Sequence, residues 1–191
     1  VMRAKRIFSW VIFPSLLGLN CAVTPMPAAQ TVSLTTPDGT VLKASYFAAA
    51  KPGPGVLLLH QCNHHRKSWD ALAGRLAASG INVLTLDYRG FGESGGTPFD
   101  KLTPPEQNKM LAETWPGDID VAFQYLVSQP GVTRNVIGAG GASCGVNQSI
   151  RLARRHPEVK SLVLLSGGTN REGRLFLQSS KAMPVFTSAA D

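Results

Sequence analysis

Asn135-Val136-Ile137-Gly138-Ala139-Gly140-Gly141-Ala142-Ser143-Cys144-Gly145-Val146-Asn147-Gln148-Ser149-Ile150 is the stretch on which the reading of the fold turns. It passes from a β-rich run, Asn135 to Ala139, to helical periodicity from Val146 to Arg155, where Pro157 halts the helix. The passage runs through Gly141-Ala142-Ser143-Cys144-Gly145, which satisfies G-x-S-x-G. A strand that turns straight into a helix leaves little room beside the apex, so the flanking residues must be glycine. The apical serine is carried on a strained backbone to a helix N-terminus, where unpaired N–H groups and the helix dipole favour developing negative charge. Ser143 is therefore the candidate nucleophile. The plainer alternative, a glycine-rich turn with a helix-capping serine, does not account for the strand and helix on either side.

Working outward, strand and helix patterns alternate. Thr31 to Leu34 and Val41 to Phe47 are β-rich and joined by Pro37-Asp38-Gly39-Thr40, a turn signature, so they are predicted to form an opening hairpin. Gly55 to His60 is an uninterrupted apolar run, as in a strand covered on both faces. Trp69, Leu72, Ala73 and Leu76 recur at helical spacing up to the stop at Gly80, and Asn82 to Leu86 is a further buried strand. Gly90 to Pro105 reads as loop, Asp118 to Leu126 as helix and Val159 to Leu165 as strand. The fold class is α/β: a mostly parallel, doubly wound sheet opened by an antiparallel hairpin, with the site at the C-terminal ends of the strands.

The chain has 191 residues, 43% of them apolar and 16% charged, which suits one well-buried domain. Its formal charge of +7 is scattered except in the first six residues and Arg151 to Arg155, and no aromatic residues interleave with it. A generally basic enzyme fits this better than a nucleic-acid binder. Arg3, Lys5 and Arg6 precede an apolar run from Ile7 to Leu19 that is short for a membrane span, and small residues follow at Ala28 and Ala29. Residues 1–29 are read as a signal peptide and 30–191 as the domain, so export to the periplasm or medium is expected. Lipidation of Cys21 is disfavoured because Leu19 and Asn20 before it are not small.

From Thr31 onward the chain resembles the α/β-hydrolase superfamily, in particular its dienelactone-hydrolase-like and esterase-like branches. The resemblance rests on the elbow around Ser143 and on Asp87-Tyr88-Arg89-Gly90-Phe91-Gly92-Glu93-Ser94, which is similar to the D-x-R-G-x-G-x-S segment of many members. It implies that Asp87 and Arg89 shape a loop rather than do chemistry. It also implies an oxyanion hole built from the backbone N–H groups of Cys144 and of Cys62, with Gln61 as second choice. In His60-Gln61-Cys62-Asn63 the family's glycine is replaced by Gln61. Dienelactone hydrolases proper use a cysteine nucleophile, but Cys144 stands one residue past the apex and Ser143 is preferred. If Cys62 and Cys144 both supply donors their backbones lie close together, and a disulfide between them is expected in an oxidising compartment.

The resemblance implies a triad in the order serine, acid, histidine. Only His156 follows Ser143, about three turns further along the same helix, and it cannot reach the hydroxyl. Asp191 is the tentative acid, at the end of a seventh strand that begins near Met183. The family's final strand, histidine loop and last helix have no counterpart here, so this chain by itself is expected to be inactive and weakly stable. His60, Cys62, His64 and His65 invite a metal reading, but no Cys or His pair elsewhere has the spacing to complete it. No metal and no organic cofactor is expected.

The function implied is that of a serine hydrolase that cleaves carboxylic esters or similar acyl substrates through an acyl-enzyme. The partner is a small molecule, with no nucleic acid and no lasting membrane span. The alternatives are a peptidase of the same fold or a binding protein that keeps the fold without the chemistry. The segment from Gly95 to Pro116, with Trp115, is read as part of a wall over the substrate.

Overall fold

The computed structural model describes residues 27–189. Most of the predicted leader, Cys21 included, and the tentative acid Asp191 lie outside the described residues.

Strands β1 (Gln30–Thr35) and β2 (Val41–Phe47) form the expected antiparallel hairpin. The turn between them is closed by Asp38, whose Oδ1 accepts from the Thr40 amide at 3.1 Å, and Gly39 takes the positive φ of 83° that the turn requires. Alternation in β1 turns Val32 and Leu34 into the core and leaves their neighbours exposed. Strands β3 (Gly53–Leu59), β4 (Asn82–Leu86), β5 (Val132–Ala142), β6 (Val159–Leu165) and β7 (Val185–Ser188) complete a seven-stranded sheet in the order β1-β2-β4-β3-β5-β6-β7. β2 meets β4 antiparallel; the pairings from β4 through β3, β5 and β6 to β7 are parallel.

Helices cover both faces. The 3₁₀ turn Arg66–Trp69 and α1 (Asp70–Ala78) bury Trp69, Ala73 and Ala77 against Phe47, Leu58 and Val83. Leu72, read from the sequence as part of that apolar stripe, is 39% exposed. On the other face α3 (Trp115–Ser128) buries Ile119, Ala122, Phe123 and Leu126, spaced at i, i+3, i+4 and i+7. Helix α4 (Cys144–Arg155) packs beside it. Leu57 and Leu59 of β3, with Leu84 and Leu86 of β4, lie at the centre of the larger core cluster.

Two readings require correction. The Gly- and Pro-rich segment is not loop throughout: α2 (Pro104–Lys109) starts inside it, with Thr103 and Glu106 forming a capping box, and continues as a π-helical turn over Met110–Thr114. Trp115 is no part of a substrate-covering wall. It is fully buried, stacked on Tyr88 with ring centroids 4.1 Å apart, and its Nε1 donates to the Arg89 carbonyl at 3.3 Å. One element lies outside those readings: α5 (Arg171–Ser179) stands between β6 and β7, capped by Asn170. Among the described residues no helix is long and apolar enough to cross a membrane.

Topology positions the site. The chain leaves β3 through α1 to β4 on one side, then returns past β3 to β5 on the other, so the connections diverge at β3 and β5. The carboxyl ends of two such strands frame a crevice, where open α/β sheets bind ligands. Residues 60–65 follow β3 there, and Ser143 follows β5.

Candidate active site

Ser143 stands between β5 and α4 at φ 50°, ψ −115°, a backbone conformation rarely adopted by residues with side chains. Three glycines show why the chain can turn so sharply. A Cβ on Gly141 would collide with the backbone of Gly145 and come within 2.6 Å of Ser149 Oγ; one on Gly145 would strike the Leu59 carbonyl; one on Gly167 would strike the Ser143 carbonyl. The turn is pinned to β6 through the Ser143 amide, which donates to the Leu165 carbonyl at 2.9 Å. The outcome is an exposed Ser143 at the N-terminus of a twelve-residue helix.

Opposite the elbow, Cys62 and Cys144 are joined by a disulfide, with Cα atoms 5.8 Å apart across 82 residues of sequence. The His60 ring underpins the loop that carries Cys62. It is fully buried, and its Nε2 accepts from the Tyr88 amide at 3.3 Å; since an amide only donates, the ring proton belongs on Nδ1, which donates to the Gln61 carbonyl at 2.7 Å. Burial, the largest influence, pushes the His60 imidazole down to about 4, so it is neutral at pH 7. With Cys62 in the disulfide and His60 occupied on both nitrogens, half of the suspected metal cluster is committed elsewhere. Among the described residues no group of three His, Cys, Asp or Glu could hold a metal ion.

Arg66, unremarkable in the sequence, is buried beneath this loop. Its side chain pairs with buried Asp87 and reaches Glu93 at 2.7 Å and Ser45 Oγ at 3.0 Å, while its amide donates to Asp87 Oδ1 at 2.6 Å. Arg89 meets Asp118 at 2.8 Å and also Asp38, tying the hairpin turn to α3. The Arg89 guanidinium holds the Asp38 carboxyl well below the usual carboxylate range. Asp87 and Arg89 thus act as scaffold.

A cavity of about 330 Å³ opens at the strand ends, lined by Gln61, His64, Ser68, Trp69, Leu165, Ser166 and Ala142, the residue before Ser143. It is within the size range of small-ligand pockets. Ser166, at φ 46°, escaped the sequence reading; the Ser-Gly-Gly that follows β6 is the signal that marks it. His156 is remote: it caps the far end of α4, about 20 Å along the axis from Ser143, with Nε2 2.8 Å from Asp120 Oδ1 and its ring on Phe123.

A strained serine at a strand-to-helix elbow, facing a loop from the neighbouring central strand on a mostly parallel sheet, is the architecture of the α/β hydrolases. Residues 50–187 match the serine aminopeptidase S33 family, and the chain belongs to it. It is 32% identical over 162 residues to an uncharacterised protein of Mycobacterium tuberculosis, covering 84% of this chain and 53% of that protein. It is 27% identical over 139 residues to a thiohydrolase of Arthrinium phaeospermum, covering 72% of this chain and 43% of that enzyme. An esterase of Pyrococcus furiosus shares the fold, with a TM-score of 0.60 at 24% identity over 74% of this chain and 53% of the esterase. The chain spans about half the length of the curated relatives it matches.

Proposed function

We propose that the protein is a serine hydrolase that cleaves carboxylic esters or closely related acyl compounds through an acyl-enzyme on Ser143. The observation that carries this reading is the strained, exposed backbone of Ser143 at the head of α4. In this mechanism Ser143 Oγ attacks the carbonyl carbon while its proton passes to a base, and the carbonyl oxygen takes up negative charge. The Cys62 and Cys144 amides hold that oxyanion, each worth about 3 kcal/mol to the transition state. The alcohol then leaves with a proton, and water releases the acid by the reverse steps.

The base is assigned to a histidine that the family's serine, acid, histidine order places after the acid: His60 is occupied on both nitrogens, His64 and His65 precede Ser143 in the chain, and His156 is remote. Asp191 stays the proposed acid. The likeness to a thiohydrolase supports an acyl substrate, and the disulfide is compatible with the export proposed from the basic and apolar leader. A second reading, cleavage of peptide amides, is favoured by the match to serine aminopeptidases.

The test uses the complete gene product with 4-nitrophenyl acetate, an aminoacyl 4-nitroanilide and a fluorophosphonate. Ester hydrolysis lost by about a thousandfold or more in Ser143→Ala, with the phosphonate mass on the Ser143 peptide, is expected. Preference for the anilide selects the peptidase reading, and full activity in Ser143→Ala ends both.

A further inference from the structure

The disulfide sits where the proposed chemistry needs the tightest tolerance. Cys62 belongs to the loop after β3 and Cys144 is the first residue of α4, so the bridge joins the two carriers of the proposed oxyanion donors and bypasses the sheet between them. Each donor nitrogen is bonded to one of the two Cα atoms that the bridge holds 5.8 Å apart. Among the described residues neither amide donates to a carbonyl or side chain, which leaves both available to a ligand.

The loop has little else to hold it at that point. Asn63, His64 and His65 are exposed, and the bonds to its backbone are short-range ones, from the His60 ring and the His64 amide to the Gln61 carbonyl and from the Ser68 amide to His65. Firm anchors stand on either side of Cys62, at His60 through Tyr88 and at Arg66 through Asp87. The five residues from 61 to 65 are tied across the crevice through Cys62. On the other side, the packing of Gly145 so near the Leu59 and His60 carbonyls that a Cβ would not fit sets the height of α4 but leaves the position of the Cys62 amide undetermined.

We propose that the Cys62–Cys144 disulfide is a positioning element of the oxyanion hole, fixing the separation of the Cys62 and Cys144 amides so that both reach one oxygen. This rests on the serine hydrolase reading. Transition-state stabilisation by preorganised donors falls steeply when one is displaced, whereas binding of the neutral substrate depends little on them. Loss of the bridge therefore lowers kcat and leaves KM nearly unchanged.

The experiment compares the oxidised complete gene product, the same protein after a water-soluble phosphine, and the double variant Cys62→Ala, Cys144→Ala. The phosphine splits the S–S bond into two thiols and becomes its oxide with oxygen from water. For each form, circular dichroism establishes that it is folded at the assay temperature, and intact mass follows phosphonylation of Ser143 alongside 4-nitrophenyl acetate kinetics. The expected result is a fall of tenfold or more in both phosphonylation rate and kcat without the bridge, KM within twofold, and recovery when oxidised glutathione re-forms it. The double variant keeps the comparison open if reduction alone unfolds the protein. Equal rates in the folded forms, or a rise in KM with kcat constant, overturn the proposal and leave the hydrolase reading standing. Absence of phosphonylation even in the oxidised protein overturns the hydrolase reading and this proposal with it.

Discussion

Gly145 lies so close to the Leu59 carbonyl that a side chain at that position would have to displace either α4 or β3. Gly145→Ala is expected to lower stability by about 2–3 kcal/mol, in the range of overpacked interiors, and to slow phosphonylation of Ser143. Gly117 in α3 is the control. A Cβ there meets nothing within 4 Å, and Gly117→Ala is expected to raise stability by about 0.5–1 kcal/mol through helix propensity. Urea unfolding of both variants checks the pair.

Ser143 is held at φ 50° although it carries a side chain. Relief of that strain, about 1–3 kcal/mol, outweighs the extra unfolded-state entropy of glycine. Ser143→Gly is expected to raise stability by about 1 kcal/mol while abolishing phosphonylation. Thermal unfolding decides it: a Tm below that of the parent protein would show that the elbow is not strained.

Asp87 is fully buried and receives both the side chain and the amide of Arg66. Asp87→Ala would strand a buried guanidinium, with an expected cost of about 3–5 kcal/mol. Glu93, which meets the same arginine from a half-exposed position, is expected to matter far less when changed to Gln. Denaturant midpoints of the two variants test the order.

The neutral state of His60 links folding to pH. Burial holds the folded imidazole at about 4, below its unfolded value near 6.5, so the unfolded chain binds a proton that the folded chain refuses. This contribution to stability is therefore complete above pH 6.5 and is lost as the pH falls from 6.5 toward 4. Across that window the loss is on the order of 3 kcal/mol. Urea midpoints at pH 7 and pH 4.5 should show it.

The elbow and strands β2, β4 and β6 were legible in the sequence because each is a local pattern: glycines at fixed offsets, or apolar runs between breakers. The Cys62–Cys144 contact was reachable because the resemblance set both residues at one crevice. Long-range burial was not legible. Trp115 meets Tyr88 from 27 positions away, and Arg66 finds Asp87 beneath the sheet edge, so nothing adjacent to either marks it as interior. Helix α5 escaped because it buries little beyond Gly173 and leaves Leu175 53% exposed, offering no apolar stripe to read. Pro104 and Pro105 resemble loop punctuation, yet at the first positions of a helix their missing N–H groups cost nothing.

The bond between Cys62 and Cys144 also closes the backbone between them into a covalent ring containing α1, β4, α2, α3 and β5. A protease that cuts once within that ring, for instance at the exposed Asn63 to His65, leaves a molecule of unchanged mass apart from one added water. The two pieces separate on a denaturing gel only after a reductant is added. A nicked preparation would thus pass for intact under non-reducing conditions, and that concealment is itself a direct readout of the bridge.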